Sequence, residues 1–195
     1  GSAGPRVVKY GTIREYALNF AAVLPTGEII WTGANTLKYA SGYNLTQLFI
    51  GSEGTLGIIT KIVVKLIPKP MHDVLILASF TSNEQACSTV SAIFNAGIVP
   101  SAVEFMERKG VAWVMKYDHI AFDLKQEAEA FLLIELDGNN LDTLINESEK
   151  LNQVLENNEC IDVLFFDSSA QKEELRRMRR IMAVSVKANS TYKED

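Results

Sequence analysis

Hydrophobic and polar positions alternate differently in the two parts of this chain. Up to about residue 70 the apolar residues come in short β-branched or aromatic runs separated by glycine and proline. Residues 18–24 form one such run, Pro25-Thr26-Gly27 supplies a turn, and residues 28–32 pair back as a hairpin. Residues 58–67 form a second run, closed by Pro68-Lys69-Pro70. Only residues 44–50 have the composition of a short helix, so this part is predicted to be strand and loop. Beyond Met71 the pattern becomes strand, helix, strand. Residues 74–80 predict a strand, and Ser82 followed by Gln85 opens a helix with a capping-box spacing. Ala86, Val90, Ile93 and Phe94 share a face of that helix, and Gly97 ends it. A short strand at 103–106, a helix at 107–117 and a strand at 130–136 follow. A long amphipathic helix is marked by Leu141, Leu144, Ile145, Leu151 and Leu155. A strand at 161–166 and a polar helix from about Ser168 complete the pattern.

The resulting order, β-α-β-(α)-β-α-β, predicts a split βαβ, ferredoxin-like unit, an antiparallel sheet with helices on one face. The fold class is therefore α+β, with a boundary near residues 68–71.

Composition narrows the function classes. The chain has 195 residues, 47% hydrophobic and 22% charged, with a formal net charge of −5. An acidic balance without a basic stripe argues against nucleic-acid binding. Two cysteines and two histidines, widely spaced, assemble neither a disulfide framework nor a metal cluster. Cys87 and Cys160 lie in apolar patterns and read as buried structural thiols. No apolar run approaches the roughly 20 residues needed to cross a bilayer, and the expected setting is cytoplasmic.

The densest chemical signal is Gly51-Ser52-Glu53-Gly54-Thr55-Leu56-Gly57-Ile58-Ile59-Thr60. Its glycines allow a close backbone approach to a flat or phosphorylated ligand, and its N–H groups suit an anion. A tight turn with a bulge before a strand is the plain alternative. Ser2-Ala3-Gly4 is small-residue loop chemistry or a frayed end. In Arg176-Arg177-Met178-Arg179-Arg180 the arginines cannot share one helix face. Some are expected to be solvated, and one turned inward could clamp a carboxylate. Glu104 and Glu135, in apolar strand contexts, are expected to serve strand-edge or inter-domain hydrogen bonds. His119 beside Asp118 reads as a surface pair.

Taken in order, Ser2-Ala3-Gly4-Pro5-Arg6, Val8-Lys9-Tyr10-Gly11, Gly42-Tyr43-Asn44-Leu45-Thr46, the string from Leu48 through Gly57, and Lys65-Leu66-Ile67-Pro68 form a specific set. Together they resemble the FAD-linked oxidase family of the vanillyl-alcohol oxidase type. The nearest branch is that of glycolate oxidase FAD subunits and D-lactate and D-2-hydroxyglutarate dehydrogenases. Residues 96–104 and 133–138 resemble the same family's cap domain. The resemblance implies that residues 1–70 are the end of a PCMH-type FAD-binding domain and that residues 71–195 are a truncated cap, or substrate, domain. It implies FAD as cofactor, bound by Ser2, Ala3, Gly4, Glu53, Gly54, Thr55, Leu56, Gly57, Ile58 and Ile59. It implies that Arg179, with Lys193, binds the carboxylate of a small 2-hydroxy acid, D-lactate or glycolate-like, which is oxidised to the 2-oxo acid. Arg176 stands where the family's cap-helix motif usually has tryptophan, and Asn44 where many relatives have aspartate.

Family members also carry an upstream glycine-rich loop and a downstream metal-binding block. The chain is therefore expected to be an internal fragment, inactive alone, with the general base and any divalent metal in the parent protein only. The resemblance leaves the electron acceptor open and allows the parent to be peripheral to the inner face of the membrane. Unpaired strand edges predict self-association. The rival reading is a non-catalytic ferredoxin-like binding or dimerisation module, which has no use for the glycine string.

Overall fold

The computed structural model describes residues 2–118 and 124–191. The chain divides into two units, Gly1–Lys69 and Pro70–Asp195.

In the first unit a single turn of helix, α1 (Val7–Tyr10), leads into β1 (Ala17–Val23), β2 (Ile29–Trp31), α2 (Leu45–Phe49) and β3 (Ile58–Val64). The sheet order is β2-β1-β3, both pairs antiparallel. The expected hairpin and short helix are present, and β3 stops at Val64, short of residue 67. The core is small: Phe20 and Ala22 on β1 and Phe49 at the end of α2.

Buried polar groups do much of the positioning here. Thr32 Oγ accepts the Phe20 N–H at 3.1 Å and lies 2.8 Å from Thr46 Oγ, while Asn19 Oδ1 accepts the Gly33 N–H at 2.7 Å. A side chain at Gly33 would put its Cβ 2.7 Å from both Leu18 O and Thr46 Oγ. Only glycine lets the chain pass this close, which ties α2, and the glycine string after it, to β1. Asn44 caps α2, its Oδ1 accepting from Gln47 N at 3.1 Å. Asparagine and aspartate cap about equally well, so the exchange at this position leaves the helix start intact.

The second unit contains β4 (His72–Phe80), α3 (Asn83–Asn95), β5 (Ala102–Glu107), α4 (Arg108–Asp118), β6 (Ala130–Gly138), α5 (Leu141–Asn157), β7 (Asp162–Phe166) and α6 (Ser169–Asn189). Its strands run in the order β5-β6-β4-β7, and every neighbouring pair is antiparallel. Ser82 caps α3 through the Gln85 N–H. The reciprocal half of the capping box is replaced, because the Gln85 side chain bonds Thr81 and Glu159 instead. Gly97 follows the helix in the left-handed region at φ +74°.

The expectation of helices on one face is corrected by the structure. Ile76, Ala78, Phe80, Leu132 and Ile134 pack beneath α3 and α5 through Ala86, Ile93, Leu144, Leu151 and Leu155. Leu75, Leu77, Phe131 and Leu133 face the other way, under Val111 and Val114 of α4 and Leu175 and Met178 of α6. The reason lies in the central strands. β6 is buried along eight of its nine residues and β4 along its last six, so both faces need a cover. Continuous apolar runs, unlike strict alternation, require a second helical layer.

Candidate functional site

The glycine string forms an open turn between α2 and β3. Gly51, Glu53 and Gly54 have φ of +84°, +50° and +83°. Ser52 N–H bonds Phe49 O, and Thr55 closes on Ser52 O through both its N–H and its hydroxyl. Residues 53–56 are exposed, and nothing lies within 4 Å of where a Cβ would stand on Gly51 or Gly54. Gly57 is the buried exception: a Cβ there would meet Val23 O at 2.7 Å and Phe49 at 3.2 Å. The turn thus presents bare main chain outward and is anchored at its far end by one glycine pressed against β1. Glu53, a non-glycine residue, also stands in the left-handed region, within the turn that Thr55 closes on Ser52. Ile58 and Ile59 continue into β3 with exposed side chains. Ser2 and Gly4 border a cavity of about 370 Å³ with Tyr10 and Tyr16, with Ala3 exposed between them; no residue of 53–59 lines that cavity. At Gly51 and Gly54 the turn offers bare main chain with open space beside it, an approach that suits a flat group such as a flavin, flanked by the exposed side chains of Glu53, Thr55 and Leu56.

The second site lies on the α4/α6 face of the other sheet. The register places Asp73 opposite Asp137, Leu75 opposite Glu135, and Ala102 opposite Glu135. Asp73, Glu135, Asp137 and Glu104 therefore form an acidic strip across β4, β6 and β5 on one face. Helix α6 crosses it with Lys172, Arg176 and Arg179, spaced i, i+4 and i+7 on one side of the helix. Lys172 Nζ bonds Asp73 Oδ1 at 3.1 Å and Asp73 O at 2.6 Å. Arg176 bonds Asp73 as well and reaches Glu135 Oε1 at 2.8 Å. Arg179 meets Glu104 Oε1 at 3.1 Å. Burial by itself would push the Asp73 carboxyl up, but the hydrogen bonds and charges of Arg176 and Lys172 outweigh it and hold the group below 3.8. The guanidinium of Arg176 loses hydration on burial, yet its bonds to Asp73 and Glu135 more than offset this and raise its pKa.

Arg179, Glu104, Lys109 and Arg180 line a groove of about 640 Å³ between β5, α4 and α6, with Trp113, Met182 and Val186 as apolar wall. Gly110 lines the groove where α4 meets α6. A Cβ on it would sit 3.0 Å from Met182 Sδ, so glycine lets α4 and α6 come close.

Several expectations are revised here. Arg176 is the most inward of the arginines, and Lys172, which the sequence pattern did not single out, is buried. Arg177 and Arg180 are exposed but paired with Asp118 and Glu173. Glu104 and Glu135 form ion pairs with α6, which the strand pattern did not indicate. Cys87 is exposed, because its position in α3 falls off the face that Ala86 and Ile93 bury. Cys160 is half-buried; burial pushes its thiol pKa up. Lys193 and His119 lie outside the described residues. Among the described residues no three His, Cys, Asp or Glu side chains cluster in a way that could hold a metal, and no helix is long and apolar enough to cross a membrane.

Comparison with known proteins gives these two sites their context. Residues 69–194 match the family model of the C-terminal domain of FAD-linked oxidases. The chain belongs to the FAD-linked oxidase family. It is 39% identical over 89% of its length to the glycolate oxidase subunit GlcD of Bacillus subtilis, of which it covers 35%. It is 35% identical over its full length to a D-lactate dehydrogenase of Anaerostipes hadrus, covering 42% of that protein. Against the Escherichia coli glycolate oxidase subunit GlcD the figures are 33% identity, 88% and 34%. The chain thus spans about a third to two-fifths of the curated relatives named here. An alkyldihydroxyacetonephosphate synthase structure superposes with a TM-score of 0.67 over 93% of this chain and 34% of its own, at 22% identity, and so shares the fold. For an FAD-linked oxidase, an outward-facing bare turn and a groove carrying an arginine are the two features that most need an explanation in terms of ligands.

Proposed function

We propose that this chain supplies part of the cofactor site and the substrate-carboxylate site of a flavoenzyme that oxidises a small 2-hydroxy acid, such as D-lactate or glycolate, to the 2-oxo acid. Residues 1–70 are read as the end of the FAD-binding domain. Residues 71–195 are read as the cap, a split βαβ sheet with an added helical layer made by α4 and α6. The observation that carries the reading is Arg179 in the α4/α6 groove, its side chain 38% exposed and its one ion pair among the described residues made to Glu104. A guanidinium has five N–H donors in a planar fork, and Glu104 accepts from one nitrogen, so the other edge can take a second carboxylate bidentately. Trp113, Met182 and Val186 give the groove an apolar wall beside that fork.

In the other unit, Gly51 and Gly54 keep the turn open and Gly57 holds its end against β1, so that main chain, not side chain, meets the cofactor. A bound FAD would supply the acceptor for the hydride that leaves the α-carbon. This chain's residues fix and orient the substrate; the general base and any metal ligands are assigned to other parts of the parent protein. The exposed edges β2 and β3 support self-association with a second copy.

The test is a D-lactate titration of the 195-residue chain, followed by heteronuclear NMR, with and without Arg179→Gln. The reading requires saturable shifts at α4 and α6 that weaken roughly tenfold or more in the variant, about the contribution of one charge-assisted bidentate pair. Shifts that Arg179→Gln leaves unchanged would refute it.

A further inference from the structure

We infer that Glu104 is a positioning residue for Arg179: it holds the guanidinium with its free edge toward the groove. The inference rests on the carboxylate reading of Arg179 given above. Glu104 sits on β5 at a position whose side chain points to the face that α6 covers, beside Met106 and Ala102 of the same alternation. Its carboxylate meets Arg179 at 3.1 Å, and its side chain is three-quarters buried, so it is a fixed acceptor, not a surface charge.

The other charged groups of the groove have partners of their own. Lys109 lies 5.1 Å over the Trp113 ring, Arg180 bonds Glu173, and Glu107 accepts from Asn83. Among the described residues only Arg179 is paired to a carboxylate that lines the groove with it. Arginine has many rotamers, and one that is more than a third exposed would sample several of them. Lys172 and Arg176 fix the rotation of α6 through Asp73 and Glu135, but they do not reach the head of Arg179. Glu104 does. The same pairing removes positive charge from the groove, so Glu104 contributes orientation and opposes simple attraction of anions. Charge and geometry therefore pull the affinity in opposite directions, and they can be separated.

Glu104→Gln keeps an oxygen acceptor for the guanidinium and drops the charge. Glu104→Ala drops both. The experiment follows the full chain by NMR, reading the Arg179 Nε–Hε signal, assigned by its loss in Arg179→Lys, together with D-lactate titrations. Glu104→Ala should lower the Nε–Hε heteronuclear NOE toward that of a mobile side chain. It should also weaken D-lactate binding about tenfold, while Glu104→Gln stays within about threefold of the parent. Circular dichroism and backbone spectra establish that each variant is folded. A purely structural Glu104 would change stability without moving the Arg179 signal or the affinity per folded molecule, and that result overturns the inference. So would tighter binding in Glu104→Ala, which would show that charge, not orientation, dominates. If Arg179→Gln itself leaves D-lactate binding unchanged, the carboxylate reading fails and this inference with it. If Arg179→Gln weakens binding and Glu104→Ala does not, the inference alone fails.

Discussion

The ion pairs under α6 allow a quantitative test. Arg176 joins Glu135, whose side chain is 8% exposed, and Asp73, which Lys172 also holds. Exposed pairs contribute about 0.2–1 kcal/mol, whereas breaking a buried pair by removing one partner costs about 3–5 kcal/mol. Arg176 itself is 30% exposed, so solvent screens part of the interaction. We therefore expect Arg176→Met to destabilise the second unit by about 2–3 kcal/mol, between those limits. Glu135→Leu alone should cost about 1–2 kcal/mol, because Asp73 continues to accept from Arg176. The double variant should recover most of the loss, since a methionine and a leucine at these positions extend the apolar layer of Leu75, Leu133 and Met178. The coupling energy should then be about 1.5–2 kcal/mol or more. Urea titrations scored by amide exchange at β4 and β6 report on this unit separately from the first. Additive single effects, or a loss below about 0.5 kcal/mol in Arg176→Met, would refute the claim that this network fixes α6 on the sheet.

Three further outcomes follow from the same geometry. Asp73 is held below its ordinary pKa of 3.8 in the folded state, so its contribution is present above that value and is lost as pH falls through the folded-state pKa. Acid titration of stability should show Asp73→Asn flattening the decline below pH 3.8. Gly57→Ala should cost about 2–4 kcal/mol because the Cβ strikes the Val23 carbonyl, while Gly54→Ala, strained but in open space, should cost about 1 kcal/mol. Amide exchange across the β1–β3 pairs measures both, and equal effects would contradict the anchored-turn description. Finally, Cys87 should react with a thiol reagent at least about tenfold faster than Cys160, whose thiol is half-buried, shifted upward, and shares its one S–H between the carbonyls of Ser79 and Asp162; equal rates would contradict the burial.

Local sequence sufficed wherever a local cause operates. The hairpin at 25–28, the cap at Ser82, the stop at Gly97 and the order of strands and helices beyond Met71 all follow from turn chemistry and periodicity within a few residues. The glycine string was legible for the same reason: positive φ at Gly51 and Gly54 is a backbone property that glycine announces. What periodicity could not supply is which charges meet across 75 to 103 residues. Lys172 and Arg176 reach Asp73, and Arg179 reaches Glu104, only because the strand order brings β4, β6 and β5 side by side under α6. From the chain alone Glu104 and Glu135 were polar residues in apolar strands, and the arginine run was a helix whose inward face was undetermined. The second helical layer did have a signal in the chain, the continuous apolar runs of β4 and β6, but those runs do not say which helices supply the cover. Sequence determined the elements and the open turn. Tertiary packing decided the partner of each charge, and with it which arginine faces the groove, because ion-pair partners are chosen by distance in space and not by spacing along the chain.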